Sequence, residues 1–245
     1  MYMGAYSALF LSSMLSGALL FVVGRKERIL KYVSIFGASF LFAVCFVHML
    51  PEALGHSSHA HAHVHGGGLS AGMFVLLGFL LQLFLEFISK GAEHGHLHDD
   101  NRRFSHNEYL SALMMLLGVC IHAFLEGFAF VSDGHFNYSL LSGVIIHNMP
   151  ISMIIVASFM KVCTSRFMPF VYLAVFAMMG VLGSLFASSL AFLQDCQPYV
   201  LCFVVGILMH VSITTLFDSS ESHQYNFIRF TIVVAAFALV CLLPH

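Results

Sequence analysis

Two ionisable side chains lie four residues apart inside an apolar stretch, IHAFLEGFAF, at residues 121–130. His122 and Glu126 therefore share one face of a helix on consecutive turns. In that arrangement they can present a nitrogen and an oxygen to one metal ion. The alternative is a neutral Glu126 hydrogen-bonded to a neutral His122, which would only pack the interior. The spacing alone leaves both interpretations open.

A second polar cluster lies in another apolar stretch, SGVIIHNMPISMIIV, which contains His147, Asn148 and Pro150. Proline lacks a backbone N–H, so a carbonyl one turn earlier loses its helical partner and becomes available inside the membrane. His147 and Asn148 beside this position predict the second half of a binding site, at about the depth of the first. Hydrogen bonding between helices is the alternative role.

Both clusters belong to a chain with the composition of a membrane protein. Of its 245 residues, 59% are hydrophobic and 9% are charged, whereas about a quarter of the residues in a soluble domain are charged. A helix needs about 20 apolar residues to cross the membrane, so the apolar stretches predict eight transmembrane helices in a single domain, residues 1–245. They cover residues 5–23, 32–53, 69–89, 109–131, 139–160, 167–193, 198–217 and 226–243.

The lysines and arginines support this count, because these residues accumulate in cytoplasmic connections. All ten follow odd-numbered predicted helices: Arg25, Lys26, Arg28 and Lys31 the first, Lys90, Arg102 and Arg103 the third, Lys161 and Arg166 the fifth, and Arg229 the seventh. This partition predicts an all-α polytopic protein with both termini extracytoplasmic or luminal. Such a protein is integral to the plasma membrane or to an internal membrane.

Two predicted connections are rich in histidine. The extracytoplasmic or luminal connection, residues 54–68, contains His59, His61, His63 and His65, and the cytoplasmic connection, residues 90–108, contains His94, His96 and His98. Imidazole suits zinc, copper and nickel, so both connections predict weak, exchangeable metal binding. The alternative is a polar tract that is merely rich in histidine.

Three further residues mark a candidate pathway. His48 and Glu52 lie near the predicted outer end of the second helix, where they can line a pathway mouth; a capping or interfacial role for His48 is the alternative. His210 lies in the seventh predicted helix ahead of several hydroxyl residues, which commonly hydrogen-bond across membrane helices. This context favours packing or a peripheral place in the pathway over direct metal ligation by His210.

These motifs resemble those of the ZIP (Zrt-, Irt-like) family of divalent metal transporters, and the resemblance covers essentially the whole chain. IHAFLEGFAF is similar to the family's fourth helix, HNMP to the start of its fifth-helix motif, and HMLPEA to its second helix. The resemblance implies a bundle of three, two and three helices with an inverted repeat. It also implies that His122, Glu126 and His147 ligate the principal ion, with Asn148 near a second one.

The chain departs from the family pattern beside these residues. Ala123 stands where the family usually has a polar residue, and Ile151 and Ser152 stand where a metal-binding Glu or His usually follows the proline. Two imidazoles and one carboxylate suffice for tetrahedral zinc with a water or Met149 nearby, whereas manganese and calcium favour more oxygen ligands. We therefore predict a single-metal centre that prefers zinc.

The resemblance implies transport of a divalent metal ion, with zinc favoured, toward the cytoplasm. In this scheme the outer helix repeats rock around the paired central helices, so that access alternates. Zinc is then the transported substrate, and no prosthetic group, enzymatic activity or nucleic-acid partner is expected. Both a homodimer and a heterodimer with a paralogue are compatible with the chain.

Two other functions are compatible with these residues. The missing acid at Ile151 favours a metal-sensing or accessory membrane protein as the main alternative. An intramembrane zinc hydrolase is less favoured, because the three metal ligands leave no second deep carboxylate to activate water.

Overall fold

The computed structural model describes residues 2–23, 27–54, 70–91, 106–132, 134–217 and 223–243. Within these ranges the chain is almost entirely helical, and the predicted all-α class is confirmed. The long helices are α1 (Met3–Val23), α2 (Glu27–Val44), α3 (Ala71–Gly91), α4 (His106–Glu126), α5 (Tyr138–Val162), α6 (Met168–Ser189), α7 (Gln197–Phe217) and α8 (His223–Cys241).

In the described part of the chain, the seven helices α1 to α7 are long and apolar enough to cross a membrane. Helix α8 contains a shorter apolar section, Phe227–Cys241. Each of the eight predicted stretches therefore coincides with a helix, whereas eight membrane crossings and the orientation of the termini stay predictions.

The connection between α4 and α5 holds structure that the apolar pattern does not predict. After α4 the chain makes a 3-10 turn, Gly127–Ala129, and then a short antiparallel hairpin of β1 (Val131–Ser132) and β2 (His135–Phe136). Asn137 then caps α5, because its side-chain oxygen accepts a hydrogen bond from the Leu140 N–H at 2.8 Å. The hairpin thus marks the end of the bundle at which α4 ends and α5 begins.

Two helices differ from the predicted segments in detail. Helix α2 continues through a π-helical turn, Cys45–Met49, and stays helical to residue 54. Helix α6 ends at Ser189, before the predicted end at residue 193, because Leu190 is extended and a separate short helix, Ala191–Asp195, follows. The backbone conformation of one residue therefore moves the end of the sixth helix.

The helices pack as two groups of four. In one group, α1 lies against α5 and α6, and α4 lies against α6; in the other, α3 lies against α7, and α2 lies against α7 and α8. Contacts between the groups run mainly from α2 to α5 and from α3 to α4. The four polar residues singled out on α4 and α5 therefore belong to one group and face the other across this boundary.

Glycines bring α3 and α7 into backbone contact within their group. A Cβ atom added at Gly78 would lie 1.9 Å from the carbonyl oxygen of Phe203, and one added at Gly206 would lie 1.9 Å from that of Val75. Small residues commonly permit such close approach between membrane helices. No larger side chain fits at either glycine unless the two helices separate.

Helices α4 and α6 make a similar contact in the other group. A Cβ atom at Gly183 would lie 1.9 Å from the carbonyl oxygen of Phe124, and one at Gly127 would lie 2.3 Å from that of Gly180. Because Gly127 directly follows Glu126, this contact fixes α4 next to a predicted ligand.

Candidate metal centre

The four predicted ligands on α4 and α5 are all buried. His122, Glu126, His147 and Asn148 expose 3%, 1%, 4% and 5% of their surfaces, respectively. Polar groups that are removed from water cost free energy unless they find partners. Four of them at the boundary between the two helix groups therefore call for a ligand or for mutual hydrogen bonds.

Mutual hydrogen bonds do not satisfy these groups. His122 Nε2, Glu126 Oε1, His147 Nε2 and Asn148 Oδ1 are each buried without a hydrogen-bond partner among the described residues. More than nine in ten buried polar groups in proteins have such a partner. Each of the four side chains thus keeps an atom of the kind that binds a metal ion, which fits the predicted ligand set.

The two imidazoles lie near each other. Their ring centres are 6.2 Å apart and their planes are inclined by 70°. An ion held at about 2.0–2.1 Å from a ring nitrogen lies about 3.2 Å from the ring centre, so two rings that share a tetrahedral ion have centres about 5.2 Å apart. His122 and His147 would have to approach each other by about 1 Å to bind one such ion.

A third side-chain ligand does not join this pair of imidazoles in the described residues. In the ranges that the structure describes, no three His, Cys, Asp or Glu side chains come together closely enough to hold one metal ion. Glu126 is therefore buried on the same helix face as His122 without joining the two imidazoles at one point.

A residue that the sequence analysis did not single out orients His122. Gln82 on α3 is buried, and its Oε1 lies 3.3 Å from His122 Nδ1, to which it offers an acceptor. When Nδ1 carries the proton, Nε2 is the nitrogen that can bind a metal, and metal-binding histidines commonly use their second nitrogen in this way. Gln82 is a polar residue inside an apolar helix, and that signal could have revealed it.

The backbone near Pro150 is covered by α2. Pro150 has no N–H to donate to the Ile146 carbonyl one turn earlier. A Cβ atom added at Gly37 on α2 would lie 3.2 Å from that carbonyl oxygen and 3.1 Å from the His147 Cα. The carbonyl freed by proline thus lies against α2, and Gly37 sets the spacing between the two groups at the level of His147.

A cavity of about 770 Å³ reaches His147 from one end of the bundle. Its wall includes Lys31 on α2, Glu86 on α3 and Thr214 on α7, together with α5 from Ile154 to His147, a span of about 10 Å along the helix. Ile151 also lines this cavity. The apolar residue at the position where the resemblance leads one to expect a carboxylate or imidazole therefore faces the route to His147.

The predicted pathway residues separate into two places. His48 lies in the π-helical turn of α2, and Glu52 accepts a hydrogen bond from the side chain of Asn137 at 3.5 Å, near the hairpin. His210 lies on α7 with its Nδ1 3.5 Å from Glu86 Oε2 on the cavity wall. The loop histidines His59, His61, His63, His65, His94, His96 and His98 lie outside the described residues.

A comparison with protein-family models identifies the family of this chain. The model described as ZIP zinc transporter matches residues 1–109 and 89–244. The chain belongs to the ZIP zinc transporter family. A comparison with curated proteins gives no match. The family match confirms the ZIP membership that the sequence motifs predict.

Membership fixes the general class of the molecule. With its seven apolar helices of membrane-spanning length in the described ranges, this ZIP protein is an integral, multi-pass membrane protein. Members of the ZIP family transport divalent metal ions and are not enzymes. In a ZIP protein, the buried imidazoles and carboxylate of α4 and α5 are candidate ligands for the transported ion, and that ion is a substrate.

Proposed function

We propose that this ZIP protein transports zinc toward the cytoplasm through a site formed by His122, Glu126 and His147, with Asn148 beside it. The observation that carries the proposal is the set of four buried side chains, each of which keeps a nitrogen or oxygen atom that has no hydrogen-bond partner and can bind a metal ion. The cavity that reaches His147 supplies a route to one side. Two imidazoles and a carboxylate form the mixed nitrogen and oxygen set that zinc accepts.

The centre holds one ion in this proposal. A second ion beside the first would need further anionic ligands, and Ile151 on the cavity wall supplies none. Ions that favour several oxygen ligands, such as manganese and calcium, are disfavoured for the same reason. Glu126 has to approach the two imidazoles to complete the ligand set, since the three do not meet in this conformation.

Movement between the two helix groups would change access to the site. The glycine contacts of α3 with α7 and of α4 with α6 each lie within one group, so each of these two helix pairs can move as a unit. This packing supports a division between α1, α4, α5 and α6 and the remaining helices, which differs from the expected rocking of outer repeats around two central helices. Lys31 on the cavity wall supports a cytoplasmic opening under the positive-inside rule.

Zinc uptake by variants tests the proposal. His122→Ala and Glu126→Ala should each abolish zinc uptake in a transport-deficient cell, because each removes a ligand from a site that has few. His135→Ala and Glu108→Ala are matched controls, since both residues are exposed, and they should transport like the parent chain. Unchanged uptake by the two site variants at equal surface abundance would refute the proposal.

Ile151 motivates the second candidate function, a non-transporting metal sensor or accessory protein. A bound ion beside Ile151 has no anionic side chain at that position to draw it outward. In that case Ile151→Glu should raise zinc flux from nil to a measurable rate. Substantial flux through the parent chain would end this alternative and leave transport.

A further inference from the structure

An acid on the wall of the cavity lies beside an imidazole, and the central site uses neither of them. Glu86 Oε2 on α3 lies 3.5 Å from His210 Nδ1 on α7. Glu86 follows Gln82 by four residues, so both side chains lie on the same face of α3. The face of α3 that contacts His122 thus continues, one turn further toward the cavity end, to a second nitrogen and oxygen pair.

The distance between the two atoms is that of two ligands of one ion. The separation of 3.5 Å is that of a long hydrogen bond or of an ion pair. Two ligands bound to one tetrahedral zinc ion at about 2.0–2.2 Å lie about 3.4 Å apart. An ion can therefore be placed between Glu86 and His210 with little movement of either side chain.

The surroundings of the two side chains suit a pair of ligands that binds an ion and releases it again. His210 is buried and its ring packs edge-on against Phe79, with centres 4.8 Å apart and planes inclined by 76°. Glu86 keeps 24% of its side chain exposed and lines the cavity with Thr214. A fixed imidazole and a carboxylate with access to water can take an ion from the cavity and return it.

The helices that carry the pair cannot easily separate. Gly78 and Gly206 bring α3 and α7 into backbone contact, and each glycine precedes a residue of this polar face, Gln82 or His210, by one turn. The backbone spacing at Glu86 and His210 is consequently set by packing rather than by the charge of the two side chains.

We propose that Glu86 and His210 form a second divalent metal site, which binds zinc-like ions through one carboxylate and one imidazole. The Thr214 hydroxyl and cavity water complete the coordination. The site rests on the proposed transport function for its role, which is to hold an ion between the central site and the cytoplasm. Its existence as a binding site is independent of transport.

Zinc binding to purified protein tests this proposal. The background is the full chain in detergent with the histidines of residues 54–68 and 90–108 replaced by Ser, so that loop binding does not contribute. Titration against a competing chelator should give about two zinc equivalents for this background. Glu86→Gln and His210→Gln should each retain about one equivalent, and Glu108→Gln and His135→Gln, at exposed positions, should retain both.

Glu126→Gln distinguishes failure of this proposal from failure of the central site. It should lose the central ion and keep the ion at Glu86 and His210, whereas Glu86→Gln should do the reverse. If Glu86→Gln binds as much zinc as the background and with the same affinity, the second site is refuted while the central site stands. If Glu126→Gln changes nothing and Glu86→Gln removes zinc, the central site fails and the second site stands.

Cobalt provides a readout that a merely structural role would not change. Co²⁺ in place of zinc should give two visible absorption components, and Glu86→Gln should remove one of them. Glu86→Asp keeps the carboxylate and should restore part of that component. The central component also reports correct folding of Glu86→Gln, so loss of one component with the other unchanged supports the proposal, and retention of both overturns it.

Discussion

Helix pairs α3–α7 and α4–α6 are both held by glycines that let the backbones touch. The glycines of α3–α7 lie one turn before two polar residues, namely Gln82, which contacts His122, and His210, which contacts Glu86. In α4–α6, Gly127 directly follows Glu126. The close contacts therefore have the same construction in the two pairs, and each fixes the height of polar side chains in the membrane.

The two pairs differ in the access of water to those side chains. Glu86 on α3 has 24% of its side chain exposed to the cavity, whereas His122 and Glu126 on α4 are 3% and 1% exposed. A buried ligand set can select an ion, and a set with access to water can exchange one. Close helix packing therefore positions both sets, and their position relative to the cavity gives them different roles.

Loss of either glycine contact should have the largest effect, because it should destabilise the folded helix bundle. Gly183→Ala and Gly206→Ala each add a Cβ atom 1.9 Å from a carbonyl oxygen of the facing helix. Such overpacking costs about 1–3 kcal/mol or more, and we expect a large fall in the yield of monodisperse protein on size-exclusion chromatography. Gly72→Ala on α3, whose Cβ meets nothing nearer than 3.9 Å, is the control. Normal yields for both contact variants would show that the two pairs do not hold the bundle.

Removal of Gln82 should have the next largest effect, because it should weaken zinc binding at the central site and leave the Glu86 site unchanged. Gln82→Leu removes the acceptor beside His122 Nδ1, and loss of such an outer partner costs about 10–100-fold in metal affinity. Zinc titration should show this loss at the central site only. Gln82→Glu keeps an acceptor and should retain affinity, and Gln194→Leu at an exposed position should have no effect. An equal loss at the Glu86 site would contradict the separation.

Removal of the Thr214 hydroxyl should have a smaller effect on zinc binding, confined to the site of Glu86 and His210. Thr214→Val keeps the shape of a residue on the cavity wall and removes one neutral oxygen ligand, so we expect a few-fold weaker zinc binding by the Glu86 and His210 pair. Thr231→Val on the exposed part of α8 is the matched control. Weaker binding at the central site would mean that the two sites are not distinct.

Cysteine labelling tests the difference in water access between the cavity wall and the central site. In a cysteine-free background, Ile151→Cys on the cavity wall should react with a membrane-impermeant thiol reagent added from the cytoplasmic side. Ala123→Cys, at a position buried beside His122, should not react. Labelling of Ile151→Cys from the opposite side alone would reverse the predicted orientation.

Most of the helical framework could be predicted from the sequence, because length and hydropathy are local properties. The hairpin after α4 and the early end of α6 could not, since each depends on backbone conformations of a few residues, such as the extended Leu190. For the central site, the four-residue spacing of His122 and Glu126 predicts a shared helix face. The position of His147 in its helix predicts a depth close to that of His122, and the family resemblance implies that both residues ligate the same ion.

By itself, the sequence determined the class of molecule, its helices and the buried polar residues on α4 and α5, because helical period and apolar length are encoded locally. Which residues from distant helices meet depends on the packing of the bundle. Gln82 and His122 are 40 residues apart in the chain, and Glu86 faces His210 across α3 and α7. The second encounter depends on the glycine contacts between α3 and α7, which set how closely the two helices approach, and the local sequence pattern does not specify the partner helix.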